Sequence, residues 1–149
     1  MSIEIKQELF IKASPETIYS YLTEQDKAAQ WFGDITEIDG RPGGIFKVGA
    51  NEVVVLGEFI ETVPYEKVVF TWGGVEGLEP GASTVEITLK EKDNGTLLTL
   101  RHYNIPNQQA ADGFGYGWLN YAFPLLSLVS EGRTTDLRCF REDTVLPRD

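Results

Sequence analysis

The chemistry open to this chain is narrowed first by its rarest reactive residues, one histidine (His102) and one cysteine (Cys139). The imidazole is the side chain whose unperturbed pKa lies near neutrality, which makes His102 the first candidate for proton transfer. No serine, cysteine or acid stands at a spacing that would make it a relay, and it continues an apolar strand face with Leu98 and Leu100. A hydrogen-bonded, partly buried structural histidine is therefore expected rather than a catalytic one. A single cysteine allows no intramolecular disulfide, and one histidine with one cysteine cannot assemble a zinc or copper site, so neither metal nor cofactor is expected. Cys139 reads as a neutral thiol. Glu58 and Glu86 fall inside strand-like segments; pointing inward they would be general acids or bases, but solvent-facing positions are the expectation. Arg41, beside Pro42-Gly43-Gly44, is expected to shape a loop. Gly113-Phe-Gly-Tyr-Gly117 has the look of a nucleotide loop. The third glycine of that fingerprint would fall at Trp118, and no parallel β-α-β unit surrounds it, so that reading is rejected. No catalytic residue is assigned.

The elements that must position these residues follow from periodicity. Ile3, Ile5, Leu9 and Ile11 alternate with Glu4, Lys6, Glu8 and Lys12, a half-buried strand with Gln7 and Phe10 as exceptions. Ser14-Pro15-Glu16 supplies a cap, a proline for the first helical position and an acid in the first turn, with Ile18, Tyr21 and Leu22 as the apolar stripe. A second short helical piece is expected from Asp26 to Gln30 into Trp31-Phe32, stopped by Gly33. Segments near 35–39, 44–49, 52–62, 66–72, 83–92 and 95–104 then read as six consecutive antiparallel strands. Val85, Ile87 and Leu89 face Leu98, Leu100 and His102 across a turn containing Asp93-Asn94-Gly95, which also accounts for the glycosylation-like Asn94-Gly95-Thr96. Beyond Ile105-Pro106 the period changes: Phe114, Trp118, Tyr121, Leu125 and Leu128 share one face of a long helix ending at Glu131-Gly132. Gly113, Gly115, Gly117 and Pro124 predict a frayed start and a kink in it.

Composition places the whole in one class. A chain of 149 residues with 42% hydrophobic and 24% charged residues is expected to fold as one soluble globular domain, without repeat or linker. The formal net charge of -10 has the wrong sign for a nucleic-acid phosphate backbone or an anionic membrane, and no apolar run is long enough to span a bilayer. The charged N-terminus is unlike a signal peptide, and a cytoplasmic location is expected. The fold class is α+β: a curved antiparallel sheet of about seven strands wrapped on a long C-terminal helix, with two short helices after the first strand.

That order carries a set of motifs: Ile11-Lys-Ala-Ser-Pro-Glu-Thr-Ile-Tyr19, Trp31-Phe32-Gly33, Arg41-Pro-Gly-Gly44, Gly57-Glu58, Phe70-Thr-Trp72, Thr84-Val-Glu-Ile-Thr-Leu89, Gly95-Thr-Leu-Leu-Thr-Leu100 and Gly117-Trp118. In sequence, they resemble the Aha1-like branch of the START-like (SRPBCC, helix-grip) superfamily, named after the activator of Hsp90 ATPase. The resemblance covers roughly residues 3 to 132 and departs from the branch's usual pattern at Gly113-Phe-Gly-Tyr-Gly-Trp118. It implies a domain over residues 1–132 with residues 133–149 as a C-terminal tail.

A curved sheet gripping a helix leaves a cavity wherever facing side chains fail to fill the concavity. The resemblance implies that such a cavity holds a hydrophobic or aromatic small molecule. Its candidate lining is Trp31, Phe32, Phe46, Phe59, Phe70, Trp72, Leu100, His102, Phe114, Trp118 and Tyr121, with plain core as the competing role for each. A chaperone of the Hsp90 type is the alternative partner, and a polyketide cyclase or aromatase-like activity the second alternative. In the tail, Leu137, Phe140, Val145 and Leu146 are too many large apolar side chains to stay solvated. Packing on the domain or on a second copy, as a homodimer, is expected.

Overall fold

The computed structural model describes residues 2–33, 35–50 and 53–131. The C-terminal helix ends at Ser130 with Glu131 as its C-cap, as the expected stop at Glu131-Gly132 requires; Gly132 itself and the expectations for the 133–149 tail, Cys139 included, lie outside these residues.

Strand β1 (Ile3–Ile11) alternates half-buried and exposed residues along its length, as its apolar–charged pattern requires. Helix α1 (Pro15–Thr23) starts where the sequence places it, with the Ser14 hydroxyl accepting the Thr17 amide at 3.1 Å. Helix α2 is a single turn (Gln25–Ala28). It leads to Trp31, whose indole N–H donates to the Tyr21 carbonyl at 2.9 Å and ties the segment to α1. The Gln25 amide also clamps the next strand, β2 (Ile35–Ile38), donating to the Thr36 carbonyl and accepting from the Ile38 amide at 2.8 Å. A side chain thus occupies part of the edge that a further strand would otherwise take.

Strands β3 (Ile45–Ala50), β4 (Val53–Val63), β5 (Lys67–Trp72), β6 (Ser83–Lys92) and β7 (Gly95–Ile105) complete one antiparallel sheet in the order β1-β7-β6-β5-β4-β3-β2. Chain neighbours pair throughout from β2 to β7, and β1 joins at the far side of β7. The β6–β7 turn has Asp93 at φ 50° and Asn94 at φ 63°, the two left-handed central residues of a two-residue hairpin loop. Register shifts between Phe59 and Glu61 on β4 and between Ile3 and Ile5 on β1 interrupt the ladders; such bulges bend a strand and let the sheet curve.

The C-terminal helical run consists of α3 (Gln108–Gly117), a π-helical turn (Trp118–Ala122) and α4 (Phe123–Ser130). Its start is not frayed: Asn107 accepts the Ala110 amide at 2.8 Å, a side-chain cap that the glycine content had obscured. The helix is tied to β1 by the Gln7 side-chain amide, which donates to the Gly115 carbonyl at 3.1 Å. Around Pro124, where a kink was expected, the helical winding changes. The Phe123 amide bonds back to the Trp118 carbonyl, a five-residue step, and Pro124 falls in the first positions of α4. The wider turn therefore absorbs the proline's missing donor.

Between the helices and the sheet lies the core, which includes Phe46, Phe59 and Phe70 together with Val85, Ile87, Leu98 and Leu100. No helix among the described residues is long and apolar enough to cross a membrane.

Candidate functional site

Between the helical run and strands β3, β4 and β5, sheet and helix do not fill the space. A cavity of about 520 Å³ remains. Two features of the sequence open it. On the sheet side the wall includes short residues, Val48, Gly49 and Val55; on the helix side Gly117 presents no side chain, while the Glu76 carboxylate occupies the space beside Gly113. A Cβ built on Gly117 would meet nothing within 4 Å.

Rings form most of the rest. Trp31 and Phe32 stack with centroids 3.7 Å apart, and Trp72 lies 4.9 Å from Trp118. Phe114, Tyr121, Ala122 and Leu125 continue the helix wall. Val53 and Tyr121, 63% and 42% exposed, stand at the mouth.

Trp118 is fixed from behind. Its indole N–H donates to His102 Nδ1 at 3.1 Å, and since an indole nitrogen can only donate, Nδ1 carries no hydrogen. The imidazole is then the tautomer protonated on Nε2, which donates to Ser83 Oγ at 2.8 Å. The Ser83 hydroxyl passes its own hydrogen to the Trp72 carbonyl at 2.7 Å. Ser83 pairs with Trp72 across β5–β6, so the chain of bonds links two rings of the cavity wall through buried polar groups. His102 is fully buried, with the Phe114 ring stacked on it at 4.8 Å, and burial pushes its pKa down to about 3. It is neutral, with both nitrogens engaged.

Of the residues singled out from the sequence, Trp31, Phe32, Trp72, Phe114, Trp118 and Tyr121 line the cavity. Phe46, Phe59, Phe70, Leu100 and His102 do not; they are packed in the core. Phe46 stacks on Phe70 at 4.1 Å and meets Phe59 edge-on, so these rings fill one another's space. Val48, Gly49, Val53, Val55, Gly113, Gly117, Ala122 and Leu125 line the cavity and were missed. The readable signal was the Gly113/Gly117 spacing, which puts both glycines on the face of Phe114 and Tyr121 rather than merely weakening the helix. Glu58 is exposed, and Glu86 lies on the outer face of the sheet, 3.6 Å from Arg101. Arg41 forks onto Asp39 at 2.9 and 2.7 Å in the β2–β3 loop. Among the described residues no three of His, Cys, Asp and Glu come together as a metal-holding group.

Comparison with known proteins places this geometry. The family model of the Activator of Hsp90 ATPase homolog 1-like protein matches residues 12–129. A solved AHSA1-like protein from Rhizobium etli is 33% identical with a TM-score of 0.69, over 89% of this chain and 84% of that one. CalU16 from Micromonospora echinospora is 27% identical with a TM-score of 0.70, over 96% of this chain and 83% of that one. The Aha1 dimer from Colwellia psychrerythraea shares the fold, at 21% identity and a TM-score of 0.75, over 89% of this chain and 99% of that one. No curated protein matches.

Proposed function

This chain belongs to the Activator of Hsp90 ATPase homolog 1-like family, an Aha1-like branch of the START-like, helix-grip superfamily, and we propose that it holds a hydrophobic or aromatic small molecule between sheet and C-terminal helix. The observation that carries the reading is the cavity of about 520 Å³, walled by rings and left open by Gly117. Small-molecule sites run from about 300 to 1,000 Å³ and are mostly apolar. A domain selected only for stability would fill such a space, because an unfilled apolar volume forfeits dispersion contacts.

Binding is favoured over turnover by the state of His102. A general base needs a free nitrogen and a pKa near the working pH. Here one nitrogen accepts from Trp118, the other donates to Ser83, and burial holds the ring neutral. As a macromolecular partner, a second copy of the chain is preferred to a chaperone, the Colwellia relative being described as a dimer.

The test is a titration with N-phenyl-1-naphthylamine, an uncharged dye that brightens in apolar surroundings. The native protein should give a saturable gain at one dye per chain. Gly117→Leu, which places a side chain in the open space, should weaken binding at least tenfold while leaving the circular dichroism spectrum unchanged. An undiminished gain with the folded variant would place the dye elsewhere and reject the proposal.

A further inference from the structure

The wall of the cavity says what kind of molecule it can take. None of the described residues lining it carries a charge, and its one ionisable side chain is the Tyr121 phenol. Its nitrogen donors are largely spent: the Trp31 indole N–H is bonded to the Tyr21 carbonyl and that of Trp118 to His102. Trp72 Nε1 is buried without a partner, one neutral donor and no cation.

Beside the lining helix the sign is wrong for an anion. The Glu76 carboxylate lies 3.0 Å from where a Cβ on Gly113 would stand, so an acid flanks the lining helix at that point. The protein around it has a net charge of -10, whose field adds to the repulsion. A carboxylate entering this space would lose its water and gain no counter-charge from the described wall residues, a loss that a neutral group of the same shape escapes.

Resting on the proposal that the cavity binds an apolar molecule, we infer that it selects uncharged ligands and rejects those bearing a carboxylate. Its ligand class is the neutral polycyclic or aryl compound, not the fatty or aromatic acid. The apolar wall supplies the affinity, and the lack of any cation among the described wall residues supplies the selectivity.

Anthracene-9-carboxylate and its methyl ester test this, since both fluoresce and differ chiefly in charge at pH 7.5. Each is titrated into the full chain at moderate salt. The ester should bind at least tenfold more tightly than the acid, a margin above the few-fold gain that an added methyl group contributes by itself. A ratio below tenfold, or tighter binding of the acid, overturns the charge selectivity while leaving apolar binding intact. Binding of neither probe, together with failure of N-phenyl-1-naphthylamine, overturns the cavity reading and this inference with it.

Discussion

Lowering the pH should weaken this fold through His102 by an amount that can be worked out. In the folded protein burial holds the ring's pKa at about 3, whereas the exposed ring of the unfolded chain titrates at the model value of 6.5. Between those two values the unfolded chain binds a proton that the folded chain does not. Stability from this residue is therefore fully present above pH 6.5 and falls as the pH drops towards 3, by about 1.4 kcal/mol per pH unit. From pH 7.5 to 4.5 the loss from this one ring is about 3 kcal/mol, a large share of the ~5–15 kcal/mol that holds a domain together. Other groups titrate in the same range, so the assay is comparative: urea unfolding of the native protein and His102→Gln at pH 7.5, 6.5, 5.5 and 4.5. The variant starts less stable, having lost a buried hydrogen-bonded ring, but it lacks the proton uptake. The gap between the two should close by about 3 kcal/mol over the series. Parallel stability curves would refute the reasoning. Should His102→Gln fail to fold, the imidazole nitrogen shifts of the native protein decide instead: they should report an unchanged Nε2–H tautomer down to pH 5, and a midpoint near 6.5 in the folded state would be fatal to it.

Three further outcomes follow from local geometry. Gly117 has helical φ and ψ of -63° and -44° and open space at its Cβ position, so Gly117→Ala should raise stability in thermal melts by up to about 1 kcal/mol; destabilisation would mean the space is not open. Asn107→Ala removes the cap of α3 and should cost about 0.5–2 kcal/mol, read by urea unfolding, with hydrogen exchange rising first at Ala110; no change would mean the cap is not formed. Phe70→Ala, at the meeting of Phe46, Phe59 and Trp72, should cost about 3–5 kcal/mol, and a cost under 1 kcal/mol would show that this cluster is not the packed centre.

The strands were legible because a half-buried antiparallel sheet writes its faces into alternate residues. Val85, Ile87 and Leu89 pair with His102, Leu100 and Leu98 as the pattern requires. Ser14-Pro15 and Asp93-Asn94-Gly95 were legible because their backbone roles admit few residue types. The π-helical turn was not, since a five-residue bond from Phe123 to Trp118 leaves no mark in periodicity and Pro124 reads as a kink without it. Nor could spacing divide the rings into wall and core. Phe70 and Trp72 share one face of β5, yet Phe70 is closed off by Phe46 and Phe59 while Trp72 borders open space. That division depends on where the sheet curves away from the helix, which involves residues far apart in the chain. The burial of His102 could be foreseen from Leu98 and Leu100. Its partner Ser83, nineteen residues earlier on the neighbouring strand, could not.

The most direct test of the central claim is a crystal structure of the protein with N-phenyl-1-naphthylamine bound. The dye's rings should lie between Trp72, Trp118 and Val55, over the bare backbone of Gly117, with the Trp118–His102–Ser83 chain of hydrogen bonds unchanged behind them. A saturated crystal in which that space is closed by side chains, or is empty with the dye seated elsewhere, would contradict it.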